Sequence, residues 1–208
     1  YRIPGNQHYR SGTYVVEGDY SQAAFWLSAG SLGRAICCTG LRSKSSQGDE
    51  VIVSLIRDMG GQVEGKTELT ACPSELTGRV IDVEDCPDLV PVLTVLASCA
   101  KGITRIIHAG RVRLKECDRL HAMATELNKI GGDVEEESEG LIIHGVGGFT
   151  GGTVNGWNDH RIAMALAVAS QRCSQPLRIE GAECVRKSYP EFWQDFQALG
   201  GIIQKEGE

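Results

Sequence analysis

The chain has 208 residues, of which 41% are hydrophobic and 23% charged, and carries a formal net charge of −6. That composition fits a soluble globular protein with one sizeable core and excludes an intrinsically disordered chain. No run approaches the roughly 20 apolar residues of a membrane helix, and the N-terminus has no basic, apolar and small-residue pattern of a signal peptide. Neither a membrane nor a nucleic acid is expected as a partner. The opening Tyr1-Arg2-Ile3-Pro4-Gly5, without an initiator methionine, reads as part of something longer.

In chain order, the first expected helix starts at Asp19-Tyr20-Ser21-Gln22-Ala23-Ala24-Phe25, followed by a strand at Ala35-Ile36-Cys37-Cys38 and then by Lys44. A second helix runs to Gly60-Gly61, and Gln62-Val63-Glu64 resumes an extended pattern. The same order returns about 70 residues on, the mark of an internal repeat. Asp88-Leu89-Val90-Pro91-Val92-Leu93 leads to Thr104-Arg105-Ile106-Ile107, Lys115, a helix closed by Gly131-Gly132, and Asp133-Val134-Glu135. A third copy follows, from Asp159-His160-Arg161-Ile162-Ala163-Met164 through Pro176-Leu177-Arg178-Ile179 and Lys187 to Gly200-Gly201 and a strand at Ile202-Ile203-Gln204. The repeats occupy roughly residues 12–85, 86–156 and 157–208 of a single lobe spanning 1–208.

The first helix of each copy is apolar nearly all round, as in Val90 to Ala100 and Ile162 to Ala169, which predicts an interior position. Three such helices would fill the core with sheets outside and their N-termini at one end. Asp19, Asp88 and Asn158 or Asp159 read as their N-caps.

Lys115-Glu116-Cys117-Asp118-Arg119 precedes a helical pattern of Leu120, Met123, Leu127 and Ile130, so the segment is expected on that helix's first turn. Cations there oppose the macrodipole unless an anion docks, and phosphate or carboxylate is the natural guest. The plainer alternative is a solvated helix start in which Glu116 and Asp118 offset their neighbours. Arg111, Arg113, Lys115, Arg119, Arg161, Arg186 and Lys187 are all expected near helix starts. The eight cysteines show no C-x-x-C pair, so neither zinc nor a disulfide framework is expected, and reduced, mostly buried thiols suit a reducing cytosol. Cys117, among charges on a helix's first turn, would have a lowered pKa there, although an inert substitution for serine or threonine is the commoner reading of such a residue.

Leu114-Lys115-Glu116-Cys117-Asp118-Arg119-Leu120, Asn158-Asp159-His160-Arg161-Ile162-Ala163-Met164 and Cys184-Val185-Arg186-Lys187-Ser188-Tyr189-Pro190 resemble signature segments of the 5-enolpyruvylshikimate-3-phosphate synthases. Val16-Glu17-Gly18-Asp19-Tyr20-Ser21 and Pro87-Asp88 fall in the right order, so the resemblance spans the chain. It implies an α/β fold: one lobe of the enolpyruvyl transferase fold, with three βαβαββ repeats related by pseudo-threefold symmetry, matching the C-terminal portion of a two-lobe, cytoplasmic enzyme. The implied partners are phosphoenolpyruvate, shikimate 3-phosphate and a second, N-terminal lobe, without which the chain is expected to be inactive. No metal or organic cofactor is implied.

By position, Asp88 resembles the carboxylate that takes the proton of the attacking hydroxyl, and Glu116 the acid that protonates the enol methylene. Arg119, Arg161 and Lys187 resemble the cations that clamp phosphoenolpyruvate, Lys187 also counting among the catalytic residues, and Lys115 looks like a contact to shikimate phosphate. Arg111 stands where many relatives have an asparagine that contacts the same phosphate, and Cys117 where serine or threonine is usual. His160 is either a local packing group or a substrate contact. Two rival readings remain: UDP-N-acetylglucosamine enolpyruvyl transferase, whose pattern lacks the Lys-Glu-x-Asp-Arg segment, and a non-catalytic anion-binding domain.

Overall fold

A computed structural model describes residues 1–205. Its elements are α1 (Tyr20–Leu32), β1 (Ile36–Cys38), α2 (Ile52–Asp58), β2 (Gln62–Glu64), β3 (Leu69–Cys72), β4 (Val80–Asp82), α3 (Val90–Cys99), β5 (Ile103–Ile107), α4 (Arg119–Lys129), β6 (Asp133–Glu137), β7 (Gly140–His144), β8 (Gly152–Asn155), α5 (His160–Ala169), β9 (Leu177–Glu180) and α6 (Phe192–Ala198). From β4 to β7 the order is strand, helix, strand, helix, strand, strand.

Helices α1, α3 and α5 pack on one another at the centre of the molecule. Burial follows composition: only Ser21 and Gln22 of α1, Cys99 of α3 and Arg161 of α5 escape full burial. Side chains such as Leu27, Leu93, Leu96 and Leu166 have no exposed surface, and each stabilises the fold by roughly 1.5–3 kcal/mol relative to an exposed position. Polar residues inside these helices turn inward on the backbone, as when the Thr94 hydroxyl donates to the Val90 carbonyl at 2.8 Å and Ser98 to Thr94 at 2.9 Å.

Three sheets flank this core. Strands β1, β3 and β2 pair antiparallel; β4, β5, β7 and β6 form the largest sheet; β8 pairs with β9. The β4–β5 and β8–β9 pairs are parallel, and each is joined through a buried helix, α3 or α5, as a parallel pair requires. Alternation in β5, where Thr104 and Ile106 are buried and Ile103 and Arg105 exposed, turns one face to the helices.

The Gly-Gly pairs end their helices by one mechanism. Gly60, Gly131 and Gly200 have φ of 96°, 90° and 99°, the left-handed conformation that favours glycine. Their successors then donate back to the helix, Gly61 to Ile56, Gly132 to Leu127 and Gly201 to Phe196, at 2.8–2.9 Å. A Cβ on Gly132 would lie 2.8 Å from the Leu127 carbonyl oxygen. After the third pair, however, 202–205 are irregular, so the strand expected at Ile202-Ile203-Gln204 is not formed among the described residues.

Candidate functional site

The cluster is built around Arg119, the first residue of α4, whose side chain is 1% exposed. Its Nη1 meets Asp88 Oδ1 at 2.7 Å, its Nη2 meets Glu116 Oε2 at 2.6 Å, and its Nε meets Asp159 Oδ2 at 2.8 Å. Asp88 is also approached by Lys115 Nζ at 3.2 Å and by Arg161 Nη2 at 3.3 Å. Three carboxylates thus interlock with three cations. The group sits on an open face: Asp88, Lys115 and Glu116 keep side-chain exposures of 30%, 36% and 38%.

Local sequence explains how the chain delivers these groups. Asp118 caps α4 through a 3.1 Å bond from the His121 amide, so the helix begins at Arg119. Lys115, Glu116 and Cys117 therefore precede the helix, in a short link after the 3₁₀ turn Gly110–Leu114, and the expectation that they form its first turn is corrected. Arg111 and Arg113 belong to that 3₁₀ turn, and Arg186 and Lys187 to the one at Ala182–Lys187. Asp88 is no cap either. It lies in the 3₁₀ turn Pro87–Leu89, α3 has no side-chain cap, and the Asp88 carboxylate is left free to face cations. Asp19 and Asp159 do cap α1 and α5.

Asp159 does more than cap: wholly buried, it receives the Arg161 amide at 2.8 Å and also the Arg119 guanidinium. That second role had no signal in the sequence, because Arg119 and Asp159 are 40 positions apart. Asp49 was missed as well. It is buried and accepts the Ser21 hydroxyl, and burial raises its carboxyl above the ordinary range against the pull of that bond and of Arg161.

For Asp88, burial works to raise the carboxyl, but Arg161, Arg119 and Lys115 together hold it below the usual aspartate range. His160 is 7% exposed, and burial, followed by the neighbouring Arg161, lowers its pKa so that the ring is neutral at pH 7. Its Nδ1 lies 3.8 Å from Glu116 Oε1 and has no hydrogen-bond partner, nor has Arg161 Nη1. Lys187 joins the cluster indirectly: its ammonium donates to the carbonyl and side-chain oxygens of Asn158, at 2.6 and 2.8 Å, one residue before Asp159. Arg111 instead donates to the Glu84 carbonyl at 3.0 Å. Arg113 pairs with Asp118 and Glu136 and thereby holds the link in place.

At Cys117 the lowered pKa is corrected and the inert reading fits: burial and the adjacent Asp159 push its thiol up to about 12, so it is a poor nucleophile. The other thiols are less buried than their apolar neighbours suggested: Cys86 and Cys184 are buried, Cys37 is exposed and the rest are half-buried. All eight are free. Two groups, Asp82/Glu84/His108, all exposed, and Asp133/Glu135/His144, with His144 half-buried, each bring three potential ligand atoms within 4.8 Å, and neither includes a residue of the cluster. No helix among the described residues is long and apolar enough to cross a membrane.

The fold and site together define a class: an α/β lobe on three buried helices that presents interlocked acids and cations, suited to anion chemistry, at one end. The sequence profile of EPSP synthase (3-phosphoshikimate 1-carboxyvinyltransferase) matches residues 1–196, and the chain belongs to that family. It is 55% identical over 204 residues, 98% of its length, to the 3-phosphoshikimate 1-carboxyvinyltransferase of Clostridium kluyveri, and 51% identical over 206 residues to that of Clostridium perfringens (strain 13 / Type A). It spans 48% and 49% of those two proteins, about half the length of these curated relatives. The solved EPSP synthase from Acinetobacter baumannii superposes on 91% of this chain and 47% of its own with a TM-score of 0.82 at 28% identity.

Proposed function

We propose that residues 1–208 form one lobe of a cytoplasmic, two-lobe enzyme that transfers the enolpyruvyl group of phosphoenolpyruvate to the 5-hydroxyl of shikimate 3-phosphate, releasing phosphate. One observation carries the reading. Asp88, Glu116, Lys115, Arg119 and Arg161, the residues that resemble the family's acids, bases and anion clamps, form a single contact cluster on an open face. The 48% coverage of the C. kluyveri relative supports a second lobe across that face. Shikimate 3-phosphate and phosphoenolpyruvate would lie between the two.

In this scheme Asp88 accepts the proton of the 5-hydroxyl as its oxygen bonds to C2 of phosphoenolpyruvate, and Glu116 delivers a proton to the C3 methylene. The tetrahedral adduct then loses phosphate from C2 and a proton from C3, restoring the enol double bond. Arg119 and Arg161 suit the carboxylate and phosphate of phosphoenolpyruvate because a guanidinium fork binds two oxygens at once. Lys115 serves the shikimate phosphate and Lys187 the phosphoenolpyruvate anion. The cations that hold Asp88 ionised would turn to the arriving anions, which raises the carboxylate's basicity when a base is needed. Neutral His160, beside Glu116, is free to orient that carboxyl.

Mixing this chain with a separately produced N-terminal lobe of the same enzyme tests the proposal. Phosphate release from phosphoenolpyruvate is expected only with both lobes and shikimate 3-phosphate present. Turnover with UDP-N-acetylglucosamine in place of shikimate 3-phosphate would assign the rival transferase, and turnover by the chain alone would refute the half-site.

A further inference from the structure

We infer that Glu126 is a positioning residue: from the middle of α4 it clamps the turn whose Asn158 oxygens hold the Lys187 ammonium. The inference rests on the proposed role of Lys187 only for its effect on phosphoenolpyruvate binding.

Glu126 has no exposed surface, an expensive position for a carboxylate unless its oxygens are filled. They are. Oε1 receives the Trp157 indole N–H at 2.7 Å and Lys129 Nζ at 2.9 Å, while Oε2 receives the Asn155 amide at 3.0 Å and Lys129 Nζ at 2.9 Å. One of these donors, Trp157, lies in the link between β8 and α5, and another, Asn155, is the last residue of β8 before it. An apolar residue would satisfy the helix at this buried site, so the carboxylate acts on that link.

The link needs a clamp. Trp157 and Asn158 are consecutive non-glycine residues with φ of 53° and 51°, a left-handed conformation that costs a residue bearing a Cβ and persists when surrounding contacts over-determine it. The contacts include the two bonds to Glu126, a 2.6 Å bond from the Trp157 amide to Asn155 Oδ1, the His121 ring packed edge-on at 5.6 Å from the indole, and backbone bonds from Gly156 to Glu180 and from Asp159 to Gly156. In that conformation Asn158 turns both its carbonyl and its Oδ1 to Lys187. Asp159 shares the link through its amide's 2.9 Å bond to the Gly156 carbonyl, but its carboxylate is held by its cap and by Arg119. Loss of the Glu126 bonds is therefore expected to loosen Asn158 and Lys187 first, while Arg119 keeps its bonds to Asp159, Asp88 and Glu116.

The test uses Glu126→Gln, which retains shape but sets an NH2 against one of the two donors, the Asn155 N–H or the Trp157 indole, and Trp157→Phe, which keeps an aromatic ring and removes the indole donor. In this chain, labelling of lysine amines by acetic anhydride, read peptide by peptide, is expected to quicken about threefold or more at Lys187 and to stay constant at Lys115. In the reassembled two-lobe enzyme, KM for phosphoenolpyruvate should rise about tenfold, the scale of one lost charge-assisted hydrogen bond, with kcat within about twofold. Unchanged Lys187 labelling in a folded variant overturns the inference whatever the activity does. Faster labelling with an unchanged KM supports the clamp and refutes the assignment of Lys187 to phosphoenolpyruvate. Trp157→Phe supplies the same decision if the glutamine variant does not fold.

Discussion

Helices α1 and α5 begin alike and do different work. Each starts after an aspartate, Asp19 or Asp159, whose carboxylate accepts an amide of the first turn. At α1 the acid is exposed and caps, while at α5 it is fully buried and must also neutralise Arg119. The start of α3 takes a third course, in which Asp88 gives up capping and collects three cations. An aspartate before a buried helix is thus a structural device that becomes a chemical one when a guanidinium is placed under it.

The largest expected effect comes from removing that guanidinium. Arg119→Met leaves Asp159 charged and buried without its partner, and should lower the unfolding free energy in urea by about 3–5 kcal/mol. Adding Asp159→Leu should return much of the loss, because the penalty lies in the orphaned charge rather than in the missing pair. A loss in the double variant equal to the sum of the two single losses would show that the two residues act independently.

Asp19→Ala should cost only about 1 kcal/mol, the worth of an exposed cap. A cost as large as that of Arg119→Met would erase the contrast between α1 and α5. A smaller effect should appear on acidification. Because the folded protein lowers the His160 pKa below its ordinary 6.5, the unfolded chain binds the proton first. His160 therefore contributes stability that is fully present above pH 6.5 and is lost as pH falls from there through the lower native value. Unfolding free energies from pH 7 downward should show this slope, and His160→Asn should flatten it.

How much of this was legible in the sequence depended on range. The Gly-Gly stops were readable because the Schellman turn is made within six residues and admits only glycine where φ is near 90° and where the next Cβ would strike the helix. The burial of α1, α3 and α5 was readable because each lacks a polar face. The start of α4 was misjudged by four residues, since Asp118 outcompetes the preceding charges as cap and the chain takes a 3₁₀ turn first. Asp88 was misread for a related reason: Pro87 opens a 3₁₀ turn whose Leu89 amide bonds to Cys86, leaving no need for a cap. The raised pKa of the Cys117 thiol was not legible because it comes from burial in the fold and from Asp159, 42 positions away. Asp88, Lys115, Glu116, Arg119 and Arg161, by contrast, were named through motif resemblance, and they lie in one cluster, whereas Arg111, named with them, bonds to Glu84 instead. That Arg119 is the common partner, that Asp159 joins it and that Glu126 stands behind Lys187 is visible only in three dimensions.

Under the proposed function, acids at this end of the molecule divide into those that cap and those that move protons. The most direct measurement is phosphate release by the chain reassembled with the proposed second lobe and carrying Asp88→Asn, Glu116→Gln or Asp19→Asn. The account predicts a loss of at least about a hundredfold in kcat for the first two, the scale of a missing general acid or base, with unfolding free energies nearly unchanged, and full turnover for the third. Full turnover by Asp88→Asn, or a collapse of turnover in a stable Asp19→Asn, would contradict it.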